Sequence, residues 1–287
     1  YNYIGGSKMR ELDVKIIRDK VAEMSVRANY HLPLDIVKKI DEAAERDAGS
    51  SRDILNIIQK NIKIAGEDKF PLCQDTGLAC VFLEIGQDVH LQGGALHEAV
   101  NEGVRIGYAE GYLRKSVVKD PIRRGNTNDN TPAHIVTEIV PGENVKITFA
   151  PKGFGSENMS RIAMLTPGAG EEGIKNFVLE TVRTAGGNPC PPMVIGVGIG
   201  STFDGCALLS KKALMLPINE HNEDPYYGAL EEELLNRINE MDIGPQGFGG
   251  KTTALGLRIL TAPTHIAGMP VAVNINCHVA RHETVVI

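Results

Sequence analysis

The chain has no tryptophan, and aromatic residues fill only 5% of its 287 positions. Unpaired bases are gripped by stacking on such rings, so a single-stranded nucleic-acid binder is not expected. Basic charge is not in excess either: 30 Lys and Arg stand against 36 Asp and Glu, a formal net charge of -6. A field of that sign holds neither nucleic acid nor an anionic membrane surface, although a local arginine cluster can still take a small anion. No apolar run approaches the roughly 18 residues of a membrane-crossing helix. Cysteine is scarce too. Five residues, an odd number scattered over a long chain, do not make a disulfide framework and suit a reducing cytoplasm.

What is present is ordinary in bulk. Hydrophobic residues at 42% and charged residues at 23% are enough for a sizeable core in one large domain or two small ones. Tyr1 to Lys8 lacks the apolar stretch of an export signal and reads as an expression remnant ahead of a natural start at Met9. Residues 9–67 carry apolar side chains at helical spacing. One helix is expected over Glu11–Asn29, a second over Pro33–Ala48, and a third capped by Ser50 or Ser51. From residue 68 to 287 the texture alternates. Strands are expected at Leu78–Ile85, Ala133–Ile139, Asn144–Ala150, Met193–Ile199, Leu255–Thr261 and Val271–Asn276. Helices are expected at His97–Tyr112, Glu171–Ala185, Leu208–Leu214 and Ala229–Met241. The fold class that follows is mixed α/β: an N-terminal helical layer, then a mixed-sheet body forming one catalytic domain with it.

Three glycine loops invite a phosphate reading. Gly249-Gly250-Lys251-Thr252 ends like a phosphate loop, but the glycine that should stand at position 245 is Pro245, and a helix end precedes it. Gly196-Val197-Gly198-Ile199-Gly200 lacks the dinucleotide fingerprint and reads as close packing at a strand end. Lys152-Gly153-Phe154-Gly155-Ser156-Glu157-Asn158 leaves a strand, and is either an ordinary turn or a carboxylate-holding loop.

Three cysteines have unusual neighbours: Cys73 before Gln74-Asp75-Thr76-Gly77, Cys190 between Asn188-Pro189 and Pro191-Pro192, and Cys277 before His278. Structural zinc modules place ligands two to four residues apart, and these are far apart in sequence. Thiolates assembled only by folding would suit an iron–sulfur cluster with one iron lacking a protein ligand. Cys80 and Cys206 lie in apolar sequence and read as small buried hydrophobes.

These motifs, with Leu113-Arg114-Lys115-Ser116, Asn126-Thr127-Asn128-Asp129-Asn130-Thr131-Pro132-Ala133, Gly244-Pro245 and Gly249–Leu255, resemble the class I, iron–sulfur-dependent fumarate hydratases and the related L(+)-tartrate dehydratases. The resemblance covers nearly all of Met9–Ile287. It implies a [4Fe-4S] cluster on Cys73, Cys190 and Cys277, whose open iron acts as a Lewis acid on the substrate's hydroxyl. It implies substrate contacts from Gln74, Asp75, Arg114 and the Gly155 backbone, with Asp75 moving a proton. From sequence alone Asp75 reads first as a helix cap or loop hydrogen-bonder. His278 and His282 are either donors to cluster sulfide or ordinary structural groups.

Single-chain members of that family carry a further domain with more substrate-binding residues. The resemblance is therefore to the α subunit of the two-subunit form, expected to work with a separate β subunit, as a dimer of αβ units, in the cytoplasm. The activity implied is reversible hydration of fumarate to (S)-malate. Dehydration of L(+)-tartrate to oxaloacetate is the close alternative, and a non-catalytic iron–sulfur electron-transfer or assembly subunit is the reading from a different class.

Overall fold

The structure is a computed structural model, and it describes residues 9–287; the segment read as an expression remnant lies outside them. Mixed α/β is what it shows. The chain divides into two compact units, one formed by residues up to His31, Ala65–Lys152 and Arg281–Ile287, the other by Leu32–Ile64 and Gly153–Ala280.

The first unit opens with a strand, β1 (Arg10–Asp13), paired in parallel with β3 (Val89–Gln92). The helix expected from Glu11 begins instead as α1 (Val14–Tyr30), because the Asp13 carboxylate caps it by accepting the Lys15 N–H at 2.9 Å. Strand and helix share the apolar run: Leu12 and Ile17 are both buried. Helix α1 lies against α4 (Leu96–Glu110). A four-stranded sheet runs β10 (Glu283–Val286), β5 (Val145–Lys152), β2 (Leu78–Gly86), β4 (His134–Val140). Its central strand β2 is antiparallel to β5 and parallel to β4. Ile17 and Met24 of α1, Val104 of α4, Val81 of β2 and Phe149 of β5 form the core of this unit. Each such side chain contributes roughly 1.5–3 kcal/mol by leaving water.

The second unit contains α2 (Leu34–Arg46) and most of α3 (Gly49–Asp68). Neither Ser50 nor Ser51 caps α3, which starts at Gly49; the Ser51 hydroxyl instead donates to the Asp47 carboxylate at 2.5 Å. The short α5 (Phe154–Glu157), α6 (Gly170–Ala185), α7 (Phe203–Ala213) and α8 (Pro225–Asn239) follow. Helices α7 and α8 begin earlier than periodicity suggests, since Thr202 and Asp224 cap them and Pro225 fits a first turn. The sheet order is β6 (Arg161–Leu165), β9 (Met269–Asn276), β7 (Met193–Gly200), β8 (Ala254–Ala262).

Strand β7 is buried along its whole length, between α7 on one face and the core of Val178, Leu234 and Val273 on the other. A Cβ at Gly198 would stand 2.7 Å from Ser210 N and closer still to Cys206 O, so Gly198, like Gly196, lets α7 approach. The edge strand β8 is covered by α8. The Ile259 N–H donates to the Glu231 carboxylate at 2.7 Å, and Glu231 pairs with Arg258 at 3.4 Å. Both are buried, and Arg258 also donates to Pro217 O at 2.7 Å. The Gly249–Thr253 stretch leads into β8, a strand, where a phosphate loop would lead into a helix.

Candidate active site

In the first unit, the loop from Cys73 to Gly77 ends where β2 begins. Each of its last three carbonyls is held from inside. Arg281 Nη2 donates to Asp75 O, and the Tyr108 hydroxyl donates to Thr76 O at 2.7 Å and stands 3.0 Å from Gly77 O. The Asn130 amide adds a bond to Gly77 O at 3.2 Å, while its Oδ1 accepts the Ser116 N–H at 2.7 Å. Burial pushes the Tyr108 phenol well above its ordinary pKa, so it remains a donor. Gly77 has φ +78°, and a Cβ there would stand 2.8 Å from the Lys152 backbone nitrogen. Only glycine fits that turn.

On this supported loop Cys73 and Asp75 are half-buried and Gln74 is exposed. The Asp75 N–H points at Cys73 Sγ, 3.4 Å away, and the Asp75 carboxylate accepts the Gly77 N–H at 3.0 Å. The modest role of loop hydrogen-bonder is therefore one that Asp75 does fill. Arg114 is joined to the same loop, because the Thr76 hydroxyl donates to Arg114 O at 3.0 Å. Its guanidinium is exposed. Arg123, by contrast, is paired with Asp120 at 2.9 Å on the surface.

In the second unit, Cys190 is exposed in a tight turn with φ +55°, its N–H donating to Gly187 O at 3.1 Å. The His278 N–H donates to Cys190 O at 3.2 Å, and the His278 ring Nδ1 lies 3.0 Å from that oxygen. The segment carrying Cys277, which is half-buried, thus lies against the Cys190 turn. Gln246 secures the next carbonyl: its backbone N–H and its side-chain Nε2 both donate to Pro191 O at 2.8 Å. Gly155 is exposed, and the nearest atom to a Cβ placed there is Asn188 O at 4.0 Å. Glu157 of the same motif pairs with Lys211 at 2.5 Å and so serves to fix the loop.

The Gly250–Thr253 stretch is anchored in this unit by Asp47. The Asp47 side chain accepts from the Thr252 hydroxyl at 2.8 Å, and Arg46 donates to that hydroxyl at 2.7 Å. Thr252 and Thr253 are fully buried. The threonines of this motif are structural here.

The five cysteines separate cleanly. None is in a disulfide. Cys80 and Cys206 are buried, and burial pushes the Cys206 thiol up to about 11, with its S–H donating to Gly198 O at 3.2 Å. Cys73, Cys190 and Cys277 are half-buried or exposed on braced loops. Among the described residues no three His, Cys, Asp or Glu side chains are grouped as a ready metal site. The fit to an iron–sulfur group is one of donor type: three accessible thiols on loops, and two inert ones in the core.

The family described as fumarate hydratase (Fumerase) matches residues 18–286, a span that takes in all three accessible cysteines. The chain belongs to this fumarate hydratase family. A protein of Methanocaldococcus jannaschii provisionally named L(+)-tartrate dehydratase subunit alpha is 42% identical over 272 residues, covering 92% of this chain and 95% of that one. L(+)-tartrate dehydratase subunit alpha of Escherichia coli strain UTI89 is 30% identical over 275 residues, 94% and 90% of the two chains. The protein of that name in Shigella boydii is 28% identical over 278 residues. Fumarate hydratases and tartrate dehydratases both add or remove water across a carbon–carbon bond, so the family's chemistry is that of a hydro-lyase. No helix among the described residues is long and apolar enough to cross a membrane.

Sequence reasoning missed Tyr108, Gln246, Asp47 and Arg281. Asn130 lay inside a quoted motif, but without a role. Asp47 acts by accepting from the Thr252 and Ser51 hydroxyls and the others by holding loop backbone, and nothing in composition or period marks a tyrosine or glutamine for that.

Proposed function

We propose that this chain is the α subunit of a two-subunit [4Fe-4S] hydro-lyase acting on a four-carbon dicarboxylate, with Cys73, Cys190 and Cys277 as the cluster ligands. The observation that carries the reading is the split among the cysteines, with accessible thiols only at those three positions. When bound, the cluster supplies a Lewis acid at the iron that lacks a protein thiolate, which polarises the departing hydroxyl.

The chain's own residues supply binding and proton handling. Arg114 offers an exposed planar guanidinium, whose paired N–H donors match a carboxylate. Gln74, exposed beside Cys73, orients the substrate's polar groups. Gly155 leaves space for a substrate carboxylate to approach the backbone. Asp75 moves the proton on the carbon adjacent to the one that carries the departing hydroxyl, its carboxylate oriented by the Gly77 N–H. A separate β subunit completes the site, in a dimer of αβ units in the cytoplasm.

Two substrates fit this chemistry. The family's description supports reversible hydration of fumarate to (S)-malate. The names of relatives that match nearly end to end support dehydration of L(+)-tartrate to oxaloacetate. They differ by one hydroxyl. The test is anaerobic reconstitution of the chain, co-expressed with its β subunit, followed by assays on fumarate, (S)-malate and both tartrate enantiomers. Serine at 73, 190 or 277 should abolish iron binding and turnover, while serine at 80 or 206 should leave iron content intact. A preparation with full iron after Cys190→Ser overturns the ligand assignment. Robust turnover by the chain alone overturns the need for a β subunit.

A further inference from the structure

Arg281 is buried with 4% of its surface exposed, in a chain whose other substrate-directed groups lie near the surface. Its Nη2 donates to Asp75 O. Its Nε and Nη1 are buried and make no hydrogen bond to the described protein. A guanidinium cannot shed its proton to escape that cost. Donors left dry in this way are expensive, so a buried guanidinium kept at this position calls for a role.

The group it holds is specific. The two peptide units flanking the Asp75 Cα have different partners: the preceding N–H points at Cys73 Sγ, and the following carbonyl is fixed by Arg281. Fixing that carbonyl sets the Asp75 backbone, and with it both the carboxylate and the N–H offered to sulfur. Tyr108 and Asn130 hold the next two carbonyls as neutral donors, so Arg281 alone adds charge to this brace.

We propose that Arg281 is a positioning residue. Through its planar fork it orients the Asp75 backbone, and with it the N–H that Asp75 offers to Cys73 Sγ. The catalytic part of this inference rests on the hydro-lyase reading; the part concerning the loop does not.

The test uses Arg281→Lys and Arg281→Met in the full chain. In the chain without cluster, the rate at which iodoacetamide alkylates Cys73 is measured against Cys190, whose turn is braced by other residues. Arg281→Met should raise the Cys73 rate severalfold relative to Cys190, and Arg281→Lys by less. In the reconstituted complex with the β subunit, kcat should fall about 10- to 100-fold in both variants while KM changes by less than about threefold, the pattern of a misplaced group. Lysine keeps the charge without the fork, so wild-type kcat in Arg281→Lys would leave charge as its whole role and overturn positioning. Unchanged Cys73 alkylation in Arg281→Met, or in Arg281→Lys if the methionine variant does not fold, overturns the proposal outright. If the wild-type complex neither binds iron nor turns over, the hydro-lyase reading fails, and the alkylation ratio still decides the role of Arg281 in the loop.

Discussion

Replacing Tyr108 by phenylalanine removes one oxygen from the centre of the first unit and nothing else. The side chain is fully buried, and its ring packs in the core beside Val81 and Val104, so phenylalanine keeps that contact. What goes is the hydroxyl that serves Thr76 O at 2.7 Å and Gly77 O at 3.0 Å. One proton cannot satisfy both equally, and the shorter contact is the main bond. Gly77 O retains the Asn130 amide, so the variant strands a single buried carbonyl, that of Thr76. Losing the bond and leaving its acceptor dry together cost about 2 kcal/mol. In a chain of 287 residues that corresponds to a fall in Tm of about 3 °C. Calorimetry gives the shift, and urea unfolding checks that the loss lies in the midpoint and not in the slope. The same variant should speed alkylation of Cys73, because the loop beneath it has lost a tether. A stability change below about 0.5 kcal/mol, the size of an ordinary surface substitution, would refute the claim that Tyr108 braces this loop.

Three further outcomes follow from the same geometry. Glu231→Ala should cost about 3–5 kcal/mol, since it leaves Arg258 buried without its carboxylate and uncaps the Ile259 N–H; chemical denaturation reads it. The Asp129 carboxyl should shape acid stability. Burial alone would raise its pKa, but the Thr131 N–H and hydroxyl, with Arg105 and Thr127, outweigh that and hold it at about 2. Its folded pKa is depressed, so its contribution is complete above the unfolded value near 4 and is lost as pH falls through about 2. The stability gap between wild type and Asp129→Asn should therefore shrink steadily over that window in acid titrations; a gap that widens on acidification contradicts the assignment. Finally, brief iodoacetamide treatment of the cluster-free chain at mildly alkaline pH should label Cys190 well before Cys80 and Cys206, as read by peptide mass mapping. Cys206, pushed up to about 11 and buried, has almost no thiolate there, and early labelling of it would contradict the division of the cysteines.

Much of the fold is legible because long apolar periods leave few choices. Strand β7 reads as buried from residue 193 onward, and α6 runs almost where its stripe places it. The misses have local causes. β1 contributes only Leu12 to the core over four residues, too short a signal to separate from the helix it precedes. β6 and β10 have only half-buried and exposed positions, and are strands because β9 and β5 pair with them. A serine cap for α3 fails because the Ser51 hydroxyl donates to Asp47, which also accepts from Thr252 far along the chain. No local rule sees that partner.

The site divides along the same line. Residues proposed to face a ligand can be picked out of the sequence, since thiols, carboxylates and guanidiniums carry chemistry that few other roles require. Residues that hold them in place cannot, because a buried donor to a carbonyl can be tyrosine, asparagine, glutamine or arginine, and the choice is settled by distance alone. Tyr108, Asn130 and Arg281 take three successive carbonyls of one loop, and Gln246 and His278 take two in another. The Cys190 backbone is thus held directly, and the three residues that end the Cys73 loop are held two to four positions beyond the sulfur. The proposed iron–sulfur ligation would cost less conformational entropy here than on slack loops, since the backbone of Cys190 is already held at φ +55° and that of Gly77 at φ +78°. Loosening a brace should accordingly weaken cluster retention more than it weakens the fold, and iron loss measured against unfolding in the Tyr108→Phe chain separates the two.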